Sequence, residues 1–283
     1  MSQLFIILQY LLPQHGLSRI AGWLAEGSLL KNFLIKSFAR HYQVNLQEAE
    51  IEDPEQFENF NAFFTRALKP GARPLAGDEN AIVCPADGAI SEIGRIEEGR
   101  ILQAKGRYYT VAELLADSAM ASYFAEGDFA TVYLSPRDYH RVHMPLAGEL
   151  IKTIYVPGKL FSVNRVTADS VPGLFARNER LVCLFETEAG KMAVVLVGAM
   201  IVAGIETVWE GHVCPRKDKQ IQAQDYSNRE QHISLDCGAE MGRFKLGSTA
   251  IVLFQSGAAA LNSELKANSP VRMGQLLATR FTN

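Results

Sequence analysis

Cysteine is scarce in this chain of 283 residues, tryptophan occurs twice, histidine six times, and neither sign of charge prevails. Each shortage removes a class of function. The four cysteines, Cys84, Cys183, Cys214 and Cys237, are scattered and form no Cys-x-x-Cys pair, so a zinc site of familiar spacing is not expected. No secretory cleavage pattern accompanies them, which predicts reduced thiols in a cytosol-facing protein. With 28 Lys and Arg against 31 Asp and Glu, the net charge is -3, and no dense basic run lies beyond the first forty residues. Nucleic acid is therefore not an expected partner. Internal repeats and low-complexity segments are lacking. Two apolar runs, 4–13 and 194–205, fall short of the ~20 residues that a bilayer-crossing helix needs. What remains is ample for a core: 48% of residues are hydrophobic, enough for one large domain or a domain with an appendage.

The first fifty residues predict helices of a particular kind. After an apolar start ended by Pro13, Leu17, Ile20, Trp23 and Leu24 recur at helical spacing. A third segment carries Leu29, Leu30, Phe33, Leu34 and Phe38 among Lys31, Lys36 and Arg40. Apolar faces with Trp and Phe beside basic residues are what an interfacial membrane helix requires, and each basic residue near anionic headgroups contributes about 1 kcal/mol. Ordinary amphipathic helices packed on the domain would leave the same periodicity. Asp53-Pro54-Glu55 predicts a helix start with proline at its first position; Phe57, Phe60, Phe63 and Phe64 would then lie on one side, and Phe60, Phe63 and Phe64 are read as core.

From about residue 80, short strands and turns take over. Strands are expected at 81–84, 129–134, 151–156, 181–186 and 191–197, and a last turn and strand over 271–278. Thr110 and Glu113 predict a capped helix start. The run 194–205, broken by Gly198 and Gly204, reads as two buried strands, and Asp87-Gly88 as a turn. The fold class expected is α+β: amphipathic helices over 1–50, then a β-rich core over 51–283.

Three stretches offer chemistry. Cys84-Pro85-Ala86-Asp87-Gly88 supplies a carboxylate, Tyr139-His140-Arg141-Val142-His143-Met144-Pro145 two imidazoles, and Leu246-Gly247-Ser248-Thr249 a hydroxyl ahead of the apolar run 250–254. Taken alone, Gly-Ser before such a run is a turn entering a buried strand. A serine becomes a nucleophile when a base is near, imidazole titrates near pH 6.5, and a carboxylate can orient it. His140 and His143 as a metal pair would need a third ligand; His212 and His232 have no partner at a familiar spacing, so no metal is expected.

In this order, behind an apolar N-terminus, the motifs resemble the phosphatidylserine decarboxylases of the bacterial membrane-associated, pyruvoyl-dependent type. The resemblance covers nearly the whole chain. It implies a precursor that cuts itself between Gly247 and Ser248, leaving a large chain 1–247 and a small chain 248–283. Asp87, His143 and Ser248 would be the triad of that self-cleavage, and Ser248 would become a pyruvoyl group, the sole cofactor. His140 would serve the substrate pocket and decarboxylation. Further implications are a barrel- or sandwich-like core, phosphatidylserine and an anionic membrane surface as partners, association of the two chains of one precursor, and pairing of two cleaved copies. The place implied is peripheral, on the cytoplasmic face of the inner membrane.

The chemistry fits these parts. Losing CO2 from an amino acid leaves a carbanion beside nitrogen, and a pyruvoyl ketone in Schiff-base linkage delocalises it as pyridoxal phosphate does. Arg137, Arg141, Lys159 and Arg165 are candidates by position alone for the substrate's phosphodiester and carboxylate, and Tyr139 and Phe161 for the pocket lining. Three alternatives share some of the features. A pyruvoyl decarboxylase of a soluble amino acid derivative gives no reason for apolar helices. A hydrolase using the same triad lacks the Gly-x-Ser-x-Gly elbow around Ser248. A β-rich binding module would leave the 247–248 bond whole.

Overall fold

The strand Ser248–Phe254 is buried along its whole length, at the centre of a nine-stranded antiparallel sheet. The protein is described from a computed structural model, over residues 2–28, 30–200, 204–214, 216, 218–227, 232–245 and 248–281. Leu29, Leu246 and Gly247 therefore lie outside the described residues. Ser248–Phe254 is bonded to Gly190–Val197 on one side and to Asp128–Leu134 on the other. Its alternate side chains enter two apolar layers. Ala250, Val252 and Phe254 join Val132, Val194 and Leu196; Ile251 and Leu253 join Phe129, Val195 and Val197. A strand covered on both faces has no reason to alternate with polar residues, hence the unbroken run in the sequence.

Arg180–Thr187 and Gly148–Val156 extend the sheet on one side, with Gln222–Asp225 and Ser234–Leu235 both paired to the latter, and Gly88–Arg95 and Pro270–Val271 extend it on the other. Two smaller sheets close the first layer. One holds Gly211–Cys214, Gly204–Thr207, Glu240–Lys245 and Arg141–His143; the other holds Ala81–Val83, Leu276–Arg280 and Ala259–Leu261. Short helices such as Val111–Leu115 cover the second layer, and Thr110 caps that helix in the expected box with Glu113. The core is thus sandwich-like. Among the described residues no sheet closes on itself, so the barrel half of the expectation is corrected. Gly88 is corrected too: it opens a strand rather than completing a turn. The close approach of that strand to its neighbour demands glycine, because a Cβ at Gly88 would sit 2.1 Å from the Tyr133 carbonyl oxygen.

Ahead of the core stand α1 (Ser2–Leu11), α2 (Gln14–Glu26), α3 (Lys31–Tyr42) and the short α4 (Phe60–Phe64). The helix expected at Asp53 is a single 3-10 turn, Pro54–Gln56, with Asp53 as its cap. The first helices are inverted relative to a soluble surface. They bury Gln9, Gln14 and Ser18, while Leu11 is 75%, Trp23 72% and Phe33 70% exposed. The buried amides dock the helices on the core: Gln14 Oε1 accepts from Leu160 N at 2.8 Å, and Gln9 Oε1 from Ser162 N at 2.7 Å. Phe57, Phe60, Phe63 and Phe64 form, as expected, a cluster with Ile35 and Ala25 that joins α2, α3 and α4.

Candidate active site

The histidine stretch begins with a turn. Asp138 N donates to Ser135 O at 2.9 Å, with Pro136 at the second position, where its fixed φ suits a turn. The Asp138 carboxylate accepts from Ser135 N at 2.7 Å and from Ser135 Oγ at 2.6 Å. This turn sends Tyr139 and His140 inward, and the strand Arg141–His143 follows, paired with Glu240–Lys245. His140 is fully buried against the Phe64 ring, centroids 4.0 Å apart. Its Nδ1–H donates to the Asp138 carbonyl at 2.8 Å, so Nε2 carries the lone pair, and Nε2 has no partner. Burial pushes the His140 pKa down to about 3; the Asp138 bond opposes this and the nearby Arg66 cation adds to it.

His143 is held at both ring nitrogens. Nδ1–H donates to the Gly238 carbonyl at 2.8 Å, and Nε2 accepts from the Tyr139 hydroxyl at 3.0 Å. The tautomer of His143 is therefore set here by a backbone carbonyl. Burial lowers its pKa, while the Gly238 bond acts the other way. Burial likewise pushes the Tyr139 hydroxyl up to about 12. The Asp87 carboxylate is taken up by Arg73, with Nη2 at 2.5 Å and Nε at 2.9 Å, and by Met273 N at 2.9 Å. Arg73 also reaches Glu48 at 2.7 Å. Burial alone would lower the Arg73 pKa; the two carboxylates raise it instead.

Backbone contacts draw the three motifs together. His143 N donates to Pro85 O at 2.8 Å, and Phe244 N donates to His140 O at 3.0 Å. Leu134 lies opposite Ser248, beside the Tyr133 carbonyl that packs on Gly88. Ser248 is 1% exposed, and its Oγ has no hydrogen-bond partner. Among the described residues no hydrogen bond joins Asp87 to His143 or His143 to Ser248. The residues of the expected triad share one neighbourhood without forming a relay.

Of the basic residues named by position, Arg141 is spent on Glu240 at 2.7 Å and on the Thr65 carbonyl, while Arg137, Lys159 and Arg165 are exposed. Phe161 is core, packed on Tyr10. Two arginines that the sequence reading did not single out stand closer to the site. Arg73 lies in a Pro-Gly-rich connection that reads as a loop. Arg66 follows a run of phenylalanines read as core, and that position inside an apolar segment was the available signal.

The chain was compared with known proteins. The family profile described as Phosphatidylserine decarboxylase matches residues 60–279, and one described as PSD matches residues 4–43. A protein of Pseudomonas aeruginosa named Phosphatidylserine decarboxylase proenzyme is 62% identical over 280 residues, 98% of this chain and 96% of that protein. Proteins of the same name from Pseudomonas putida and Pseudomonas entomophila are 61% and 60% identical over 281 residues, 98% of both chains in each case.

Proposed function

The chain belongs to the phosphatidylserine decarboxylase family, and on that premise we propose that it converts phosphatidylserine to phosphatidylethanolamine and CO2 after cutting itself before Ser248. The observation that carries the reading is the Ser248 hydroxyl, buried without a partner at the head of the central strand and next to the two-histidine loop. A buried hydroxyl left unpaired is unfavourable, and such groups mark sites where something else is to happen.

In the proposed cut, His143 Nε2 takes the Ser248 proton once the Tyr139 hydroxyl turns aside, and Oγ attacks the carbonyl of residue 247. Attack on the adjacent carbonyl needs no substrate binding, so effective molarity is high. The amide becomes an ester, loss of the Ser248 α-proton expels the residue 247 carboxylate, and water releases the nitrogen as ammonia. Asp87 stabilises the His143 cation through space while it forms. The position fits the pyruvoyl group that results, because the residue is enclosed and its side-chain oxygen has no competing partner. That group supplies a ketone as electron sink for decarboxylation. His140 Nε2, neutral and unpartnered, takes a proton from the substrate's amine and returns it to the α-carbon after CO2 leaves.

A lipid substrate also accounts for the inverted helices. Leu11, Trp23 and Phe33 are the faces that enter the bilayer interface, with Arg19 and Lys159 outside to meet anionic headgroups. Residues 1–50 are thus the docking region and 51–283 the catalytic core. Intact mass under denaturing conditions tests the cut: wild type should yield two chains broken before residue 248, and Ser248→Ala one uncut chain. A single full-length mass for protein that releases CO2 from phosphatidylserine would overturn the scheme.

A further inference from the structure

Arg66 lies two residues beyond α4, after its C-cap Thr65, and is 5% exposed. Its Nη2 donates to Arg137 O at 3.1 Å and to Asp138 O at 3.4 Å, while Nε and Nη1 are buried without a partner. Burial lowers its pKa, yet a guanidinium keeps its charge at any physiological pH. A buried cation with two free donors is costly in a folded protein unless a ligand completes it. The surroundings point to one. The Asp138 carbonyl that Arg66 binds also accepts from His140 Nδ1, so guanidinium and imidazole meet on one atom. On the far side of that imidazole, Nε2 is buried without a partner too. Asn61, on α4 itself, buries both amide atoms unpartnered as well. Free donors on a rigid fork beside a free acceptor match a ligand that carries an anionic oxygen pair and an N–H group.

We propose that Arg66 is the receptor for the phosphodiester of the lipid substrate, holding it while His140 Nε2 faces the substrate's amine. The inference rests on the decarboxylase reading. Phosphatidylserine has two anionic groups, and the chemistry separates them. The carboxylate surrenders its charge as CO2 departs, so a cation paired with it would stabilise the ground state more than the transition state and slow the reaction. The phosphodiester keeps its charge from substrate to product. It lies only a carbon and an oxygen away from the reacting carbon, within reach of a group beside His140. Pairing there positions the substrate without opposing the chemistry, and planar two-point recognition of phosphate oxygens is what a guanidinium does best.

The test uses cut, full-length enzyme and two competitive inhibitors. Dihexanoyl-phosphatidylethanolamine keeps the phosphodiester and lacks the carboxylate; L-serine has the carboxylate and no phosphate. Arg66→Met should weaken the phosphatidylethanolamine by roughly 10- to 100-fold and raise KM for dihexanoyl-phosphatidylserine alike. Its kcat should stay within about threefold of wild type and serine inhibition unchanged, as loss of uniform binding requires. Arg66→Lys should recover part of the affinity. Unchanged phosphatidylethanolamine inhibition would make Arg66 a mere strut for the 135–140 turn, and selective loss of serine inhibition would mean that it reads the carboxylate; either overturns the proposal. Should Arg66→Met fail to fold, wild type decides: a through-space contact between the bound phosphorus and an arginine guanidinium nitrogen, seen by NMR, supports the proposal, and none overturns it. Wild type that releases no CO2 from dihexanoyl-phosphatidylserine removes the decarboxylase reading and this inference with it.

Discussion

Arg73 and Asp87 form the most enclosed ion pair around the site, with side chains 7% and 9% exposed. Removing one partner leaves the other charge buried, which typically costs about 3–5 kcal/mol, whereas removing both costs less. Arg73→Met should therefore destabilise strongly, and adding Asp87→Asn should recover part of the loss; a urea-unfolding double-mutant cycle measures the coupling, and additive losses would show that the pair is unimportant. His140 carries a different signature. Its folded pKa of about 3 lies below the unfolded value near 6.5. Between those values the unfolded chain binds a proton that the folded chain does not. Stability is thus full above about pH 6.5 and lost as pH falls toward 3, by up to about 1.4 kcal/mol per unit. Burial of His143 acts in the same direction. His140→Gln should flatten the fall in stability between about pH 7 and 4.5, read from unfolding midpoints; an unaltered slope would mean that His140 is protonated in the fold.

Among the elements, the N-terminal helices and the central strand read differently from sequence and from structure. Trp23 and Phe33 fit a helical periodicity, but periodicity alone does not say which side faces inward. The fold decides it: the buried amides of Gln9 and Gln14 satisfy backbone donors of the loop 160–162 and turn the apolar faces of α1 and α2 outward, while on α3 Ile35 takes the inward side in the phenylalanine cluster and leaves Phe33 outside. Trp23→Glu should weaken binding to vesicles containing phosphatidylserine by roughly 10- to 100-fold, the equivalent of about 1.5–3 kcal/mol of apolar burial. Folding stability should change by no more than about 0.5 kcal/mol, since the residue is 72% exposed. Co-sedimentation and thermal unfolding check the two halves; a large loss of stability with intact binding would mean that Trp23 packs on the protein. The strand Ser248–Phe254 was legible from its apolar run, and its place between two partners was not, because local sequence carries no record of which strands will flank it.

For the whole molecule, the proposed cut falls just before its best-embedded strand. The fragment 248–283 would contribute Ser248–Phe254 and Pro270–Val271 to the nine-stranded sheet and Ala259–Leu261 and Leu276–Arg280 to the three-stranded one. All four cysteines precede residue 248, so no disulfide could join the fragments. The cut protein should therefore migrate as one body under native conditions and separate into two chains in denaturant without reductant; fragments that part on native size exclusion would contradict this. Composition, spacing and motif order by themselves determined the α+β class, the order of helices before strands, the absence of a bilayer-crossing length in the apolar runs, and the residue types on which chemistry depends. These are properties of local sequence, set by periodicity and by the reactivity of individual side chains. Tertiary structure alone decided that Gly238 orients His143, that Arg73 occupies Asp87, and that Arg66 stands charged and incompletely paired beside His140. Those partners come from segments far apart in the chain, and such contacts arise only when the sheets pack and water is excluded, which gives an unpaired proton or charge its consequence.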